Sequence, residues 1–249
     1  MYLVLEYCEH DLSQLLDYAL HERRILFNES QVKQLSMQLL KALEFLHERN
    51  IVHRDIKLSN ILYNHRGRLK LADFGLARTI SACSFEKESD SIYLTPKVVS
   101  LWYRAPELLH GTRIYDFAVD CWAAGCAIAE LLIGKPFIKG ASEIDQLHQI
   151  ERMLGQIPAH LRERWSGDKN SESVKRSDNF QPWVQGLTIR FTDCFRISRT
   201  GIKFLHGYFS FDCRNRTTAV EGLKDEYFVE HPLPTSPSLM PTFRSFHKK

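Results

Sequence analysis

Apolar residues recur along this chain at helical spacing far more often than in alternation. Leu12, Leu15, Leu16 and Ala19 fall on one face, and Asp11 stands where it can cap the helix they imply. Asn28, with Gln31 three residues on, has the reciprocal capping pattern. Val32, Leu35, Leu39, Leu43 and Leu46 then form one stripe along a longer helix, which Asn50 ends. Two short apolar stretches, 61–63 and 69–71, flank the turn-forming run Asn64-His65-Arg66-Gly67 and read as a hairpin. Phe117 to Ile133 is the most apolar helix candidate, stopped by Gly134. Ser142 caps a further pattern through Ile144, Leu147, Ile150 and Leu154, and helical spacing returns over 199–209 and 217–229. Tyr2 to Leu5 reads as a short strand. Residues 79–97 are polar and read as a mobile loop, and 166–178 as a solvated one. From His231 onward, four prolines and a basic end imply an extended strap or a disordered tail. The pattern adds up to an α+β chain, a mostly helical body with one small hairpin.

Composition narrows the class. At 249 residues, one or two domains are expected, and 44% hydrophobic content fits a globular body with a sizeable core. The net charge of +3 is too small to imply nucleic acid or a membrane surface as partner. No apolar run reaches the length of a membrane span. The apolar start is interrupted by Glu6 and has no basic leader, so it does not read as a signal peptide. Six cysteines without CxxC spacing read as reduced thiols of an intracellular protein.

The chemistry concentrates between residues 53 and 75. Asp55 is a carboxylate able to orient an acceptor hydroxyl and take its proton. Lys57 can neutralise charge developing on a transferred phosphoryl group. Asn60 and Asp73 offer hard oxygen ligands suited to Mg²⁺. Phe74 is expected to pack inside, and Gly75 to permit a sharp turn. Singly, an Asp after an Arg is a surface ion pair and Asp-Phe-Gly a turn. Their joint order is far more specific: His53-Arg54-Asp55, Asn60, Asp73-Phe74-Gly75 and then Ala105-Pro106-Glu107.

On these motifs the chain resembles the C-terminal lobe of a eukaryotic protein kinase. Lys57 within Asp55-Ile56-Lys57-Leu58-Ser59-Asn60 is similar to the serine/threonine form of the catalytic loop. Asp73 to Arg78 and Val98 to Glu107 resemble the cyclin-dependent kinases. Leu94-Thr95-Pro96-Lys97-Val98-Val99, Glu6-Tyr7-Cys8-Glu9 and the tail 232–243 resemble the branch of cyclin-dependent kinases 10 and 11, the former group most of all. The resemblance implies a protein-kinase-like fold in three parts: residues 1–10 as a remnant N-lobe strand and hinge, 11–230 as the C-terminal lobe, and 231–249 as a Pro-rich basic tail. It implies ATP and Mg²⁺ as cofactors, a cyclin as partner, and nuclear or cytoplasmic residence. Leu5 falls at the gatekeeper, Glu6, Tyr7 and Cys8 at the adenine-binding hinge, Asp11 near the ribose and Leu62 at the adenine floor. Thr95 matches the activation-loop threonine, whose phosphate would pair with Arg54 and Arg78. Ser100 stands where a hydroxyl bridges Asp55 and Lys57. Val98, Val99 and Arg104 resemble the pocket for a proline after the phosphorylated Ser or Thr. A site that leaves the following amide without an acceptor penalises every residue but proline. Glu107 is expected to pair with Arg216, and Asp120 to anchor the catalytic-loop backbone. Two departures, His110 and Cys213, bear on local packing.

Only about fifty residues precede the catalytic loop, and they hold neither a glycine-rich loop nor a strand lysine. The expectation is therefore a kinase sequence whose activity in this chain alone is weak or nil. The alternative is a non-catalytic isoform that docks partners or substrates.

Overall fold

The computed structural model describes residues 2, 4–22, 26–80, 99–112, 115–166 and 197–243. The Asp11 carboxylate accepts the Gln14 amide at 2.8 Å and starts α1 (Leu12–His21), which buries Leu12, Leu15, Leu16 and Ala19. Asn28 and Gln31 form the full reciprocal cap at the start of α2 (Glu29–His47), and the stripe from Val32 to Leu46 faces inward. Asn50 closes this segment in a left-handed conformation, φ 57°.

A three-stranded antiparallel sheet follows, in the order β1 (His10–Asp11), β3 (Ile61–Tyr63), β4 (Leu69–Leu71). Asp11 lies opposite Leu62, and Leu62 opposite Lys70. The β3–β4 turn is built on Asn64, whose Oδ1 accepts the amides of Arg66 and Arg68 at 2.9 and 3.1 Å. A second, two-stranded ladder joins β2 (Ile51–Val52) to β5 (Arg78–Thr79) and brackets residues 53–77.

α3 (Pro106–Leu109) leads to α4 (Ala118–Ile133), which is buried on nearly every side and ends at Gly134, φ 74°. Its near-uniform apolar character is what a central helix needs. α2 packs on one side of it and α7 (Arg199–Tyr208) on another, while α2 also meets α8 (Ala219–Gly222). α5 (Glu143–Leu154), capped by Ser142, and α6 (Ala159–Ser166) complete the described helices. The chain is thus helix-rich with few strands, an α+β body dominated by one helical lobe.

Three expectations change. Tyr2, Val4 and Leu5 form no strand and are 98%, 98% and 79% exposed. Among the described residues no neighbouring strand pairs with them, and an unpaired strand gains nothing from extension. Ile144, expected inside, is exposed, because α5 turns Gln146, Ile150 and Leu154 to the core instead. The helix expected over 217–229 splits. Thr218 caps four residues of α8, and Asp225 then caps a separate 3₁₀ turn over Glu226–Phe228. Of the two alternatives for the tail, residues 231–243 form a strap. The Ser30 hydroxyl donates to Leu233 O at 2.5 Å, the Thr235 amide to Ser30 O at 3.0 Å, and the Tyr63 hydroxyl to Pro241 O at 2.6 Å. Phe243 sits edge-on to Phe27 and His10. Of the expected loops, 81–97 and 167–178 lie outside the described residues, whereas Thr79 is in β5 and Ser166 ends α6.

Candidate active site

Asp55 sits in the loop between β2 and a 3₁₀ turn over Leu58–Asn60, and is 5% exposed. Three donors converge on its carboxylate. Lys57 Nζ reaches Oδ2 at 2.7 Å, Asn60 Nδ2 reaches Oδ2 at 2.9 Å, and Ser100 Oγ reaches Oδ1 at 3.2 Å. Burial would by itself push the Asp55 pKa up. The Lys57 ammonium and the Asn60 and Ser100 donors together outweigh that and hold the carboxyl below the usual range. Ser100 meets Asp55 but, among the described residues, not Lys57.

The loop is fixed from far along the chain. Asp120, in the first turn of α4, accepts the amides of His53 and Arg54, each at 2.8 Å, and the His47 ring nitrogen at 3.1 Å. His53 uses both ring nitrogens. Nε2 faces Ala72 O at 3.0 Å, so it donates, and Nδ1 then accepts the Asp55 amide at 3.3 Å. The Ala72 amide in turn donates to Asn60 O at 2.9 Å. These bonds lock the residue before Asp73 onto the loop that carries Asp55. Arg54 is buried, donating from Nε to Leu76 O at 2.6 Å and from Nη1 to the Tyr115 hydroxyl at 2.9 Å. Arg54, Asp73 and Val99 all have φ between 61° and 67°. Such strain in non-glycine residues persists only where surrounding bonds impose it.

The donor set fits Mg²⁺. Asn60 Nδ2 is committed to Asp55 O and Oδ2, which leaves its carbonyl oxygen without a hydrogen bond among the described residues. Asp73 is exposed and spends one oxygen on the Gly75 amide at 3.3 Å, leaving the other. No cluster of three or more His, Cys, Asp or Glu forms a closed metal cage among the described residues. One amide and one carboxylate oxygen suit an ion that keeps most of its shell for water and phosphate.

The other expected positions scatter more. Asp11 caps α1 and faces half-buried Leu62 across the ladder. Glu6 pairs with Lys70 on β4 at 3.0 Å, Tyr7 is exposed, and Cys8 is partly buried. Leu5 lies exposed rather than packed. Val99 turns its carbonyl to Arg104, whose Nε and Nη2 donate at 3.2 and 3.0 Å while Nη1 pairs with Glu143 at 2.7 Å. Glu107 and Arg216 form a buried two-pronged pair at 2.7 and 3.0 Å. Arg78 is exposed and bonds the adjacent Ala77 carbonyl. Thr95 and Val98 lie outside the described residues. One expectation is corrected: Phe74 is 48% exposed, with the His53 ring 4.8 Å away against one side. The His53 clamp, the Tyr115 contact to Arg54 and the His47 contact to Asp120 had no signal in the spacing, since the last two span 61 and 73 residues. His110 packs on Trp165 with ring centroids 5.3 Å apart and planes tilted by 36°, which accounts for a polar ring in an otherwise apolar position.

A family model described as the protein kinase domain matches residues 1–228. The chain belongs to the protein kinase family. Cyclin-dependent kinase 10 of Homo sapiens is 40% identical over 249 residues, covering all of this chain and 64% of that protein. Cyclin-dependent kinase 11B of Homo sapiens is 40% identical over 243 residues, 98% of this chain and 29% of that one. A solved CAK complex from Chaetomium thermophilum bound to ATP-γ-S contains a chain that superposes with a TM-score of 0.80 at 29% identity, covering 96% of this chain and 70% of its own. The kinase chain therefore spans just under two thirds of the length of the first of these relatives.

Proposed function

We propose that the protein carrying this chain transfers the γ-phosphoryl group of Mg-ATP to serine or threonine hydroxyls of proteins, in sites where proline follows, under control of a cyclin. The observation that carries the reading is the Asp55 carboxylate held by Lys57, Asn60 and Ser100, with an Asn60 carbonyl oxygen left over beside the segment that carries Asp73. Ionised and restrained, Asp55 is suited to orient an acceptor hydroxyl and receive its proton late in transfer. Lys57 offsets charge on the moving phosphoryl group. Bound Mg-ATP supplies the transferable group, and Asn60 and Asp73 are the residues that would hold its metal. Asp11 and Leu62, opposite one another at the sheet, are the proposed nucleoside contacts, and the backbone of Glu6 to Cys8 is the proposed adenine contact. Arg54, with Arg78, is the proposed partner of a phosphate on Thr95.

Proline direction is supported by Val99. Its carbonyl is already taken by Arg104, so it offers no acceptor to the amide after the phosphorylated residue, and proline alone has no amide to leave unpaired. The cyclin rests on the names of the relatives, and residence inside the cell on their kind. No helix among the described residues is long and apolar enough to cross a membrane.

Calorimetric titration of the folded 249-residue chain with ATP, with and without Mg²⁺, tests the reading. Mg-dependent binding that disappears in Asp73→Ala is the expected result. A folded chain with no Mg-dependent binding would instead favour a docking role for this lobe.

A further inference from the structure

Nine prolines occur in the chain, and just two follow a Ser or Thr: Pro96 after Thr95, and Pro237 after Ser236 in the strap. Ser236 is exposed and holds φ −57° and ψ 139°, the extended form that a following proline imposes. Its hydroxyl meets that of Ser238 at 3.0 Å, and its carbonyl accepts the Leu239 amide at 2.9 Å, which makes a tight turn.

That turn rests on the β3–β4 turn. A Cβ added to Gly67 would lie 2.4 Å from Pro237 O and 2.5 Å from the Met240 Cβ, so the two backbones are in direct contact. Arg66 and Arg68 flank Gly67 and are exposed. Their amides are pinned on Asn64, while their guanidinium groups make no hydrogen bond or ion pair among the described residues. The acid bound at this turn, Glu9, is already engaged by the His65 amide at 3.1 Å and the His65 ring at 2.6 Å. Two uncommitted cations are therefore held one residue either side of the point where an exposed Ser-Pro turn touches the body.

We propose that Ser236 is a phosphorylation site for a proline-directed serine/threonine kinase, and that its phosphate clamps the strap to the β3–β4 turn through Arg66 and Arg68. In the modifying step, Ser236 Oγ bonds to the γ-phosphorus of ATP. The bond from that phosphorus to the β–γ bridging oxygen breaks and ADP departs. The hydroxyl proton passes to the modifying enzyme's carboxylate and on to water. The product carries nearly two negative charges and three strong acceptors, the chemistry that planar guanidinium groups bind best. The clamp lies midway between the anchors already present, Ser30 on one side and Tyr63 with Phe243 on the other. Through Tyr63 and His10 it bears on the strands that carry Leu62 and Asp11. The inference is independent of whether this chain itself transfers phosphate, because the modifying enzyme is a separate one.

The full chain is incubated with a purified proline-directed kinase and Mg-ATP, then mapped by mass spectrometry and followed by hydrogen exchange. Phosphate is expected on Ser236 and none at that position in Ser236→Ala. Amide exchange across 233–243 is expected to slow about ten- to a hundredfold, the range for hydrogen bonds to a charged group. In the double variant Arg66→Gln with Arg68→Gln, whose side chains are exposed and outside the proposed active site, phosphate still enters but the slowing is lost. The proposal is overturned if Ser236 stays unmodified while a Ser-Pro control peptide is phosphorylated. It is equally overturned if exchange is unchanged after modification, or slows as much in the double variant as in the parent.

Discussion

Asp55 and Glu130 are both buried carboxylates, and their surroundings drive them in opposite directions. Asp55 has an ammonium and two further donors, and stays ionised. Glu130, on α4 beneath the 3₁₀ turn over Leu101–Tyr103, has the Tyr103 hydroxyl at 2.5 Å, and burial lifts its pKa to about 7. Desolvation dominates there, reinforced by the charge of Asp17 and only partly offset by the tyrosine. A consequence for stability follows. The folded chain keeps the Glu130 proton up to about pH 7, while the unfolded chain releases it near 4.5. Across that window the native state binds more protons, so stability falls as pH rises, by about 3 kcal/mol in all. Urea unfolding of Glu130→Gln should show a flatter pH dependence between about pH 5 and pH 7.5 than the parent. Equal slopes would mean that Glu130 is ionised throughout. The Asp55 effect belongs below pH 4, where its lowered pKa costs stability as acid protonates it, so the two do not overlap. The residue-level chemistry of Asp55, Lys57 and Asn60 was legible because the three are crowded into six positions. Glu130 gave no such signal, because its partner lies 27 residues away and its helix reads simply as apolar.

At the scale of elements, the local caps were read correctly, and so was the α2 stripe, whereas the stripe after Ser142 was misread at Ile144. The Asn28–Gln31 cap is a local reciprocal bond, and the α2 stripe follows from helical period alone. The hairpin at 61–71 is equally local. Its contact with the strap is not, and Gly67 shows why it matters. Gly67 has φ 69°, and any Cβ there would meet the backbone oxygen of Pro237 at 2.4 Å. Gly67→Ala is expected to destabilise the chain by about 2–4 kcal/mol, the sum of a left-handed residue and an overpacked contact. Urea unfolding measures this, and hydrogen exchange should show the loss centred on 231–243. A change below about 1 kcal/mol would show that the strap is not seated on this turn. The segment 217–229 was over-read as one helix for the opposite reason. Its apolar spacing suits a helix, but Thr218 and Asp225 each start a new turn.

For the molecule as a whole, the Glu107–Arg216 pair ties the start of α3 to the approach to α8 across 109 residues, and Arg216 also holds Ser210 O and Ala118 O. Both partners are buried, so removing one leaves a charge without compensation. Glu107→Ala is expected to cost about 3–5 kcal/mol and to lower the melting temperature sharply. A loss near that of an ordinary surface substitution would show that water already reaches Arg216. Local spacing was enough to read the family, the long helices, the hairpin and the candidate set Asp55, Lys57, Asn60 and Asp73, because each is written along a short stretch. It took the folded chain to show that Tyr115 holds Arg54, that Tyr103 meets Glu130, that Phe74 is half open and that residues 231–243 form a strap. Those outcomes rest on hydrogen bonds and packing between residues tens to hundreds of positions apart, and burial alone fixes which of the available donors and acceptors must find each other.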